Sequence, residues 1–205
     1  GMVSLQEKLI RNFPKASITL HTRSILESVV RDRYPDCLVN DFPAELKEIV
    51  FINGRTLLSS ETVLNKLDKN QSFTINNKVV AARLSGEQLT MTIKKVQNGI
   101  TFDLDETAIE KQEIDGVLVE YIWDLIQANG DQIRSDFTFA NQGKVEPAID
   151  DDTVIQSKNV FIDKTAKIFP QVIVDGSNGP VFIDRNAVIQ PHVYIQGPVY
   201  IGPSV

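Results

Sequence analysis

IDRNAVIQPHVYIQGPVYIGPSV, residues 183–205, carries isoleucine at every sixth position: Ile183, Ile189, Ile195 and Ile201. Upstream the same beat runs through Ile162, Ile168 and Val174, and a nine-residue step containing DGSNGP (175–180) joins the two series. Four residues past the repeat positions stand Ala166, Val172, Ala187, Val193, Val199 and Val205, all small or β-branched, with Asn178 the exception inside the insertion. An α-helix needs apolar spacing near about 3.6, and a two-sided strand needs unbroken alternation. A hexad with one aliphatic and one small residue fits neither. It fits a parallel β-helix, in which each hexad is one flat face of a triangular coil and the aliphatic points inward. Pro170, Pro191, Pro198 and Pro203 fall at corners, where no ladder N–H is needed.

The stretch before this pattern has another composition. NQGKVEPAIDDD, with Pro147 and three consecutive aspartates, reads as a solvated linker over 139–158. Adjacent carboxylates with no other ligand near them in sequence do not make a metal site. Residues 1–138 alternate helix-like and strand-like segments. SLQEKLIRNF places Leu5, Leu9, Ile10 and Phe13 at helical spacing before Pro14. ASITLHT alternates like a strand. RSILESVVRDRYP carries a stripe of Ile25, Leu26, Val29 and Val30 and ends at Pro35. EIVFING is a continuous apolar run reaching Asn53-Gly54, the pattern of a buried parallel strand meeting a loop. SSETVLNKLDKN predicts a helix with a serine N-cap. SFTINNKVVAARL predicts a hairpin turning at Asn76-Asn77. QLTMTIKKVQN fits helix or strand equally. VEYIWDLIQANGDQIRSDF predicts a helix over 119–138 with Ile122, Leu125, Ile126 and Ile133 on one face, Trp123 packed beside it, and a break at Asn129-Gly130. The order β-α-β-α argues for an α/β layer structure.

The chain has 205 residues, 42% of them hydrophobic and 23% charged, with a net charge of -6. Scattered Lys and Arg under an acidic balance argue against nucleic-acid binding. No apolar run approaches the roughly 20 residues of a membrane span, and no cleavable leader is visible at the start. The single cysteine, Cys37, cannot form an internal disulfide and is expected as a small core residue. These features fit a cytoplasmic protein. Gly1 is read either as a remnant ahead of the start methionine or, with GMVSLQEKL, as internal to a longer chain.

Three stretches together resemble bacterial sugar-1-phosphate nucleotidyltransferases fused to a left-handed β-helix, in particular the divergent GlmU-like group that joins a UDP-N-acetylglucosamine diphosphorylase to a glucosamine-1-phosphate N-acetyltransferase. VFINGRTLLSSE looks like that group's strand and loop at the active-site edge. EYIWDLIQANGDQIRSDF looks like its linking helix, and the hexads from Ile162 to Val205 match its β-helix. The resemblance implies a partial nucleotidyltransferase-like Rossmann-type layer over 1–138 and a left-handed parallel β-helix over 159–205. It implies Mg²⁺ and acetyl-CoA for the intact protein, a nucleotide sugar or sugar phosphate as ligand, and a homotrimer formed through the β-helix. Asn53, Gly54 and Arg55 would then line the sugar-phosphate pocket at the carboxyl end of a parallel strand, the alternative being a plain turn.

The departures from that pattern are chemical. The group carries a phosphate-cradling loop, with a TRP stretch shortly before the part that GMVSLQEKL resembles. No two of the 11 glycines here are spaced G-x-G. Where the standard enzymes place a metal-holding aspartate, this chain has Arg55, which can grip a phosphate but cannot hold Mg²⁺. His192, at the fourth position of its hexad, is expected to face solvent rather than act as an acyltransferase base, and His21 to be a surface or packing residue. The expectation is a piece of a nucleotide-sugar pyrophosphorylase and hexapeptide acyltransferase, trimmed at both ends and inactive alone, with a naturally shortened homologue as the other reading. A non-catalytic oligomerising scaffold with a degenerate pocket is the competing function.

Overall fold

The computed structural model describes residues 1–43, 45–58, 66–97, 109–140 and 144–205. They form two compact units, Leu5–Glu120 and, joined in a second, Gly1–Ser4 with Tyr121–Val205.

The unit Leu5–Glu120 begins with α1 (Leu5–Asn12), whose apolar side sends Leu9, followed by Phe13, into a core around Phe73. Two short parallel strands follow, β1 (Thr19–Leu20) and β2 (Leu38–Val39), linked by a 3₁₀ turn at Ser24–Leu26 and α2 (Glu27–Arg33). Only two residues of ASITLHT pair as strand. The helix stops short of Pro35 as expected, but Ile25 and Val29 of its stripe are exposed. Cys37 is half-buried and free.

The central sheet runs β3 (Glu48–Ile52), β6 (Lys78–Ser85), β5 (Gln71–Ile75), β7 (Glu110–Glu113). The expectation of a parallel β3 is corrected here. Its ladder with β6 is antiparallel, Ile52 opposite Ala81 and Glu48 opposite Ser85. Its unbroken apolar run has another cause. Val50 and Ile52 feed the core of Phe73 and Leu67 on one face, while Ile49 and Phe51 feed that of Leu84 and Leu89 on the other. Both faces are covered, so neither shows polar alternation. The β5–β6 hairpin turns at Asn76 and Asn77 as expected, with φ of 52° and 62°, the pair of positive values a type I′ turn requires. QLTMTIKKVQN lies largely in α3 (Gly86–Gln97), with Leu89 buried and Ile93 packed beside it. A two-stranded antiparallel ribbon of β4 (Thr56–Leu58) and β8 (Gly116–Leu118) completes the unit. Most of the helix expected over SSETVLNKLDKN lies outside the described residues.

In the second unit, α4 (Ile122–Phe139) runs without interruption through Asn129-Gly130, so the expected break is absent. Asp124 accepts the N–H of Tyr121 at 2.9 Å and closes its first turn. Of the expected face only Ile133 is buried. Ile133, Asp136 and Phe137 are buried, whereas Ile122 and Ile126 are 75% and 73% exposed. Trp123 is half-exposed and stacks on Tyr121, with ring centroids 4.6 Å apart. The physical reason is a ladder of rings: Phe161, Phe182 and Tyr200 stand in register on successive strands, and Phe137 meets Phe182 edge-on at 6.4 Å. The buried Asp136 carboxylate accepts the N–H of Met2 at 2.8 Å.

The remaining strands are β9 (Val154–Gln156), β10 (Val160–Ile162), β11 (Lys167–Ile168), β12 (Ile173–Asp175), β13 (Val181–Ile183), β14 (Val188–Ile189), β15 (Tyr194–Gln196) and β16 (Val199–Ile201). All pair in parallel, in three sheets ordered β9-β12-β15, β10-β13-β16 and β11-β14, which the chain visits in rotation. Ile162, Ile168, Val174, Ile183, Ile189, Ile195 and Ile201 all belong to the one core enclosed by these sheets. The stretch 139–158, expected as linker, contributes to the stack. Val145 bridges Ile162 and β9 pairs with β12. Corners turn on Pro170-Gln171, Pro191-His192 and Pro203-Ser204, where proline precedes a residue with φ of 63°, 64° and 60°, the backbone of a type II turn. His192 is exposed at such a corner, as expected.

At the insertion, the largely buried Asp175 carboxylate accepts the N–H of Ser177 at 2.9 Å, the Ser177 hydroxyl, and the Tyr194 hydroxyl at 2.9 Å. These donors, Ser177 first, lower its pKa to about 2. A carboxylate lowered in the folded state stabilises above its unfolded pKa and loses that contribution as pH falls through the folded value. The second unit is therefore expected to lose melting temperature between about pH 4 and about pH 2. Asp175→Asn should flatten that segment of the profile in thermal melts, and an unchanged slope would refute the assignment.

Candidate functional site

At the end of β3 the Asn53 N–H makes a last bond to the Val80 carbonyl at 2.8 Å, and the chain turns. Three bonds pin the turn. The Asn53 side-chain oxygen accepts the N–H of Arg55 at 3.1 Å. The Asn53 carbonyl accepts the N–H of Thr56 at 3.0 Å, and the Arg55 carbonyl that of Val119 at 2.9 Å. Asn53 is half-buried, while Gly54 and Arg55 are exposed. The three residues singled out from the sequence thus stand together in one tight, polar-capped turn. The Arg55 guanidinium has no hydrogen-bond or ion-pair partner among the described residues. A fixed backbone carrying a free planar cation suits a phosphate or carboxylate, which it can bind through two parallel N–H bonds.

A second group of polar residues was not legible beforehand. Asn40, at φ 55°, follows β2; its side-chain oxygen accepts the Thr22 N–H at 2.8 Å, and its amide donates to Glu27 at 2.9 Å. Those bonds tie together the segments that leave β1 and β2. His21 lies against the Phe42 ring with centroids 4.5 Å apart, and its Nε2 is 3.3 Å from the Thr19 hydroxyl. Desolvation lowers its pKa, with Asp41 working in the opposite sense, so the imidazole is neutral near pH 7. Phe42 in turn meets Phe51 edge-on at 6.3 Å, two residues before Asn53. The carboxyl ends of two parallel strands therefore carry an imidazole and a carboxylate, the region of an α/β layer where ligands bind. The sequence signal was weak: NDF after CLV marks a strand end only once β1 and β2 are known to pair.

Among the described residues no group of three His, Cys, Asp or Glu side chains could hold a metal ion. No described helix is long and apolar enough to cross a membrane.

Residues Leu5–Glu120 thus form an α/β unit with an exposed arginine in the turn that ends β3. A family model described as sugar nucleotidyl transferase matches residues 1–145, and the chain belongs to that family. Comparison with curated proteins gives no match. The matched stretch takes in the whole Leu5–Glu120 unit and α4.

Proposed function

We propose that the chain binds a sugar 1-phosphate or nucleotide sugar at Asn53, Gly54 and Arg55, as part of a nucleotide-sugar pyrophosphorylase. In that reaction a sugar phosphate oxygen attacks the α-phosphorus of UTP and pyrophosphate leaves. The observation that carries the reading is the Arg55 guanidinium, without a partner among the described residues, on a turn fixed at both ends, inside the region of the family match. Arg55 would neutralise a phosphate and orient it bidentately. The donor set here does not fit Mg²⁺: a guanidinium stands where a carboxylate would be needed. The same reading takes the rotating parallel sheets as a left-handed β-helix of the hexapeptide acyltransferase kind, assembling as a trimer in the cytoplasm. With His192 turned to solvent at a corner, acetyl-CoA is not expected to be held tightly by this chain. Arg55 in place of an acidic residue also favours a second reading, a non-catalytic scaffold that keeps a sugar-nucleotide pocket.

Thermal shift with UDP-N-acetylglucosamine, other nucleotide sugars and sugar 1-phosphates tests the binding. A ligand at 100 times its dissociation constant adds about 2.7 kcal/mol to the folded state. The expected result is a shift with one of them that Arg55→Ala removes, leaving the ligand-free stability within about 0.5 kcal/mol of wild type. Absence of any shift refutes the pocket. Binding without pyrophosphate release from UTP selects the scaffold.

A further inference from the structure

The chain holds four Asn-Gly pairs, at 53–54, 98–99, 129–130 and 178–179. Asn98-Gly99 lies outside the described residues, and the other three differ in setting. Gly130 is inside α4, where a helical backbone commits its N–H to the carbonyl four residues back. Gly179 is buried under Pro198, whose ring would lie 2.9 Å from an added Cβ, and the Asn178 carbonyl is held by Arg134 at 2.9 Å. Gly54 is exposed, with no atom of the described residues within 4 Å of where a Cβ would stand. Its N–H donates to no described residue, while the side-chain carbonyl of Asn53 is already gripped by the N–H of Arg55 at 3.1 Å.

We propose that Asn53 is a site of spontaneous covalent modification, converted through a succinimide to aspartate or isoaspartate. The Gly54 nitrogen bonds to Cγ of Asn53 as it gives up its proton. The Cγ–Nδ2 bond breaks, and the side-chain nitrogen leaves as ammonia with that proton. One water then opens the ring, and no electrons are exchanged. Each element of the turn favours the closure. Glycine puts no Cβ in the path of its nitrogen. The Arg55 N–H stabilises the charge that develops on the side-chain oxygen when the nitrogen attacks, as an oxyanion donor does. The product places a carboxylate beside the Arg55 guanidinium, and the isoaspartate form also lengthens the backbone between the bonds to Val80 and Thr56. The chemistry stands apart from the ligand reading.

The experiment is incubation of the full chain at mildly alkaline pH, followed by peptide mass spectrometry, with Asn53→Asp as the reference for the product. Asn53 is expected to convert roughly tenfold or more faster than Asn129 and Asn178, the scale set by orienting an internal nucleophile. Gly54→Ala, which has open space around it, should melt like wild type and bring Asn53 down to the rate of the other two. Equal rates at the three sites in the wild-type chain overturn the proposal, and so does a folded Gly54→Ala that converts as fast as wild type.

Discussion

Gly197→Ala is expected to destabilise the second unit by about 3 kcal/mol or more. A Cβ at this position would strike the Gly179 carbonyl oxygen, with its carbon at 2.7 Å and the Pro180 oxygen at 2.8 Å. All three are backbone atoms of the neighbouring coil, so no rotamer change can relieve the overlap. Two ladder bonds flank the contact: the Gly197 N–H to the Asp175 carbonyl and the Val199 N–H to the Pro180 carbonyl, both at 2.9 Å. Moving the strands apart to admit a methyl would stretch both and open the core beside Val181 and Val174. Urea or thermal unfolding followed by circular dichroism reads the loss. A variant that unfolds with wild type would mean that this corner is slack.

In the other unit, Phe73→Ala is expected to remove about 3–5 kcal/mol. Phe73 is 1% exposed and lies at the centre of a core built from β5, β6 and β8, onto which pack Leu9 from α1 and Phe13 just after it. Its removal would take apolar contact from both α1 and the sheet. The wall behind it is hydrogen-bonded strand and cannot collapse into the space, so a cavity term adds to the lost transfer energy. The same unfolding measurement applies, and a cost below about 1.5 kcal/mol, the range of well-tolerated core swaps, would place Phe73 outside the main core.

The hexads could be read in advance because each rung repeats one inward aliphatic, and five of those seven positions are buried, with Ile168 and Ile201 partly so. The start of the stack could not, although Ile149 and Ile155, six apart, are both packed against its core. The beat slips by one residue between Ile155 and Ile162, and the run of aspartates at 150–152 masked it. For α4 the stripe was real but ambiguous. Apolar residues stand on two sides, and only the ring ladder of Phe161, Phe182 and Tyr200 decides which side faces in. In β3 the apolar run reported burial on both faces correctly, while strand direction depends on a partner some 30 residues away in sequence. The turn Asn53–Arg55 was visible because Asn-Gly after an apolar run is local chemistry. The group of His21, Asn40 and Phe42 was not, because it depends on β1 and β2, two residues each, pairing across α2.

The uneven length of the coils has a consequence for how such a chain can change over generations. Val160, Val181 and Val199 stand one above another, yet the chain takes 21 residues to return the first time and 18 the second. The surplus is gathered at DGSNGP, where Asp175 ties its loose end, and none of it reaches the wall. Insertions and deletions at a corner are therefore edits to an appendix: the repeat can lose or acquire a loop there while every rung on either side keeps its partner.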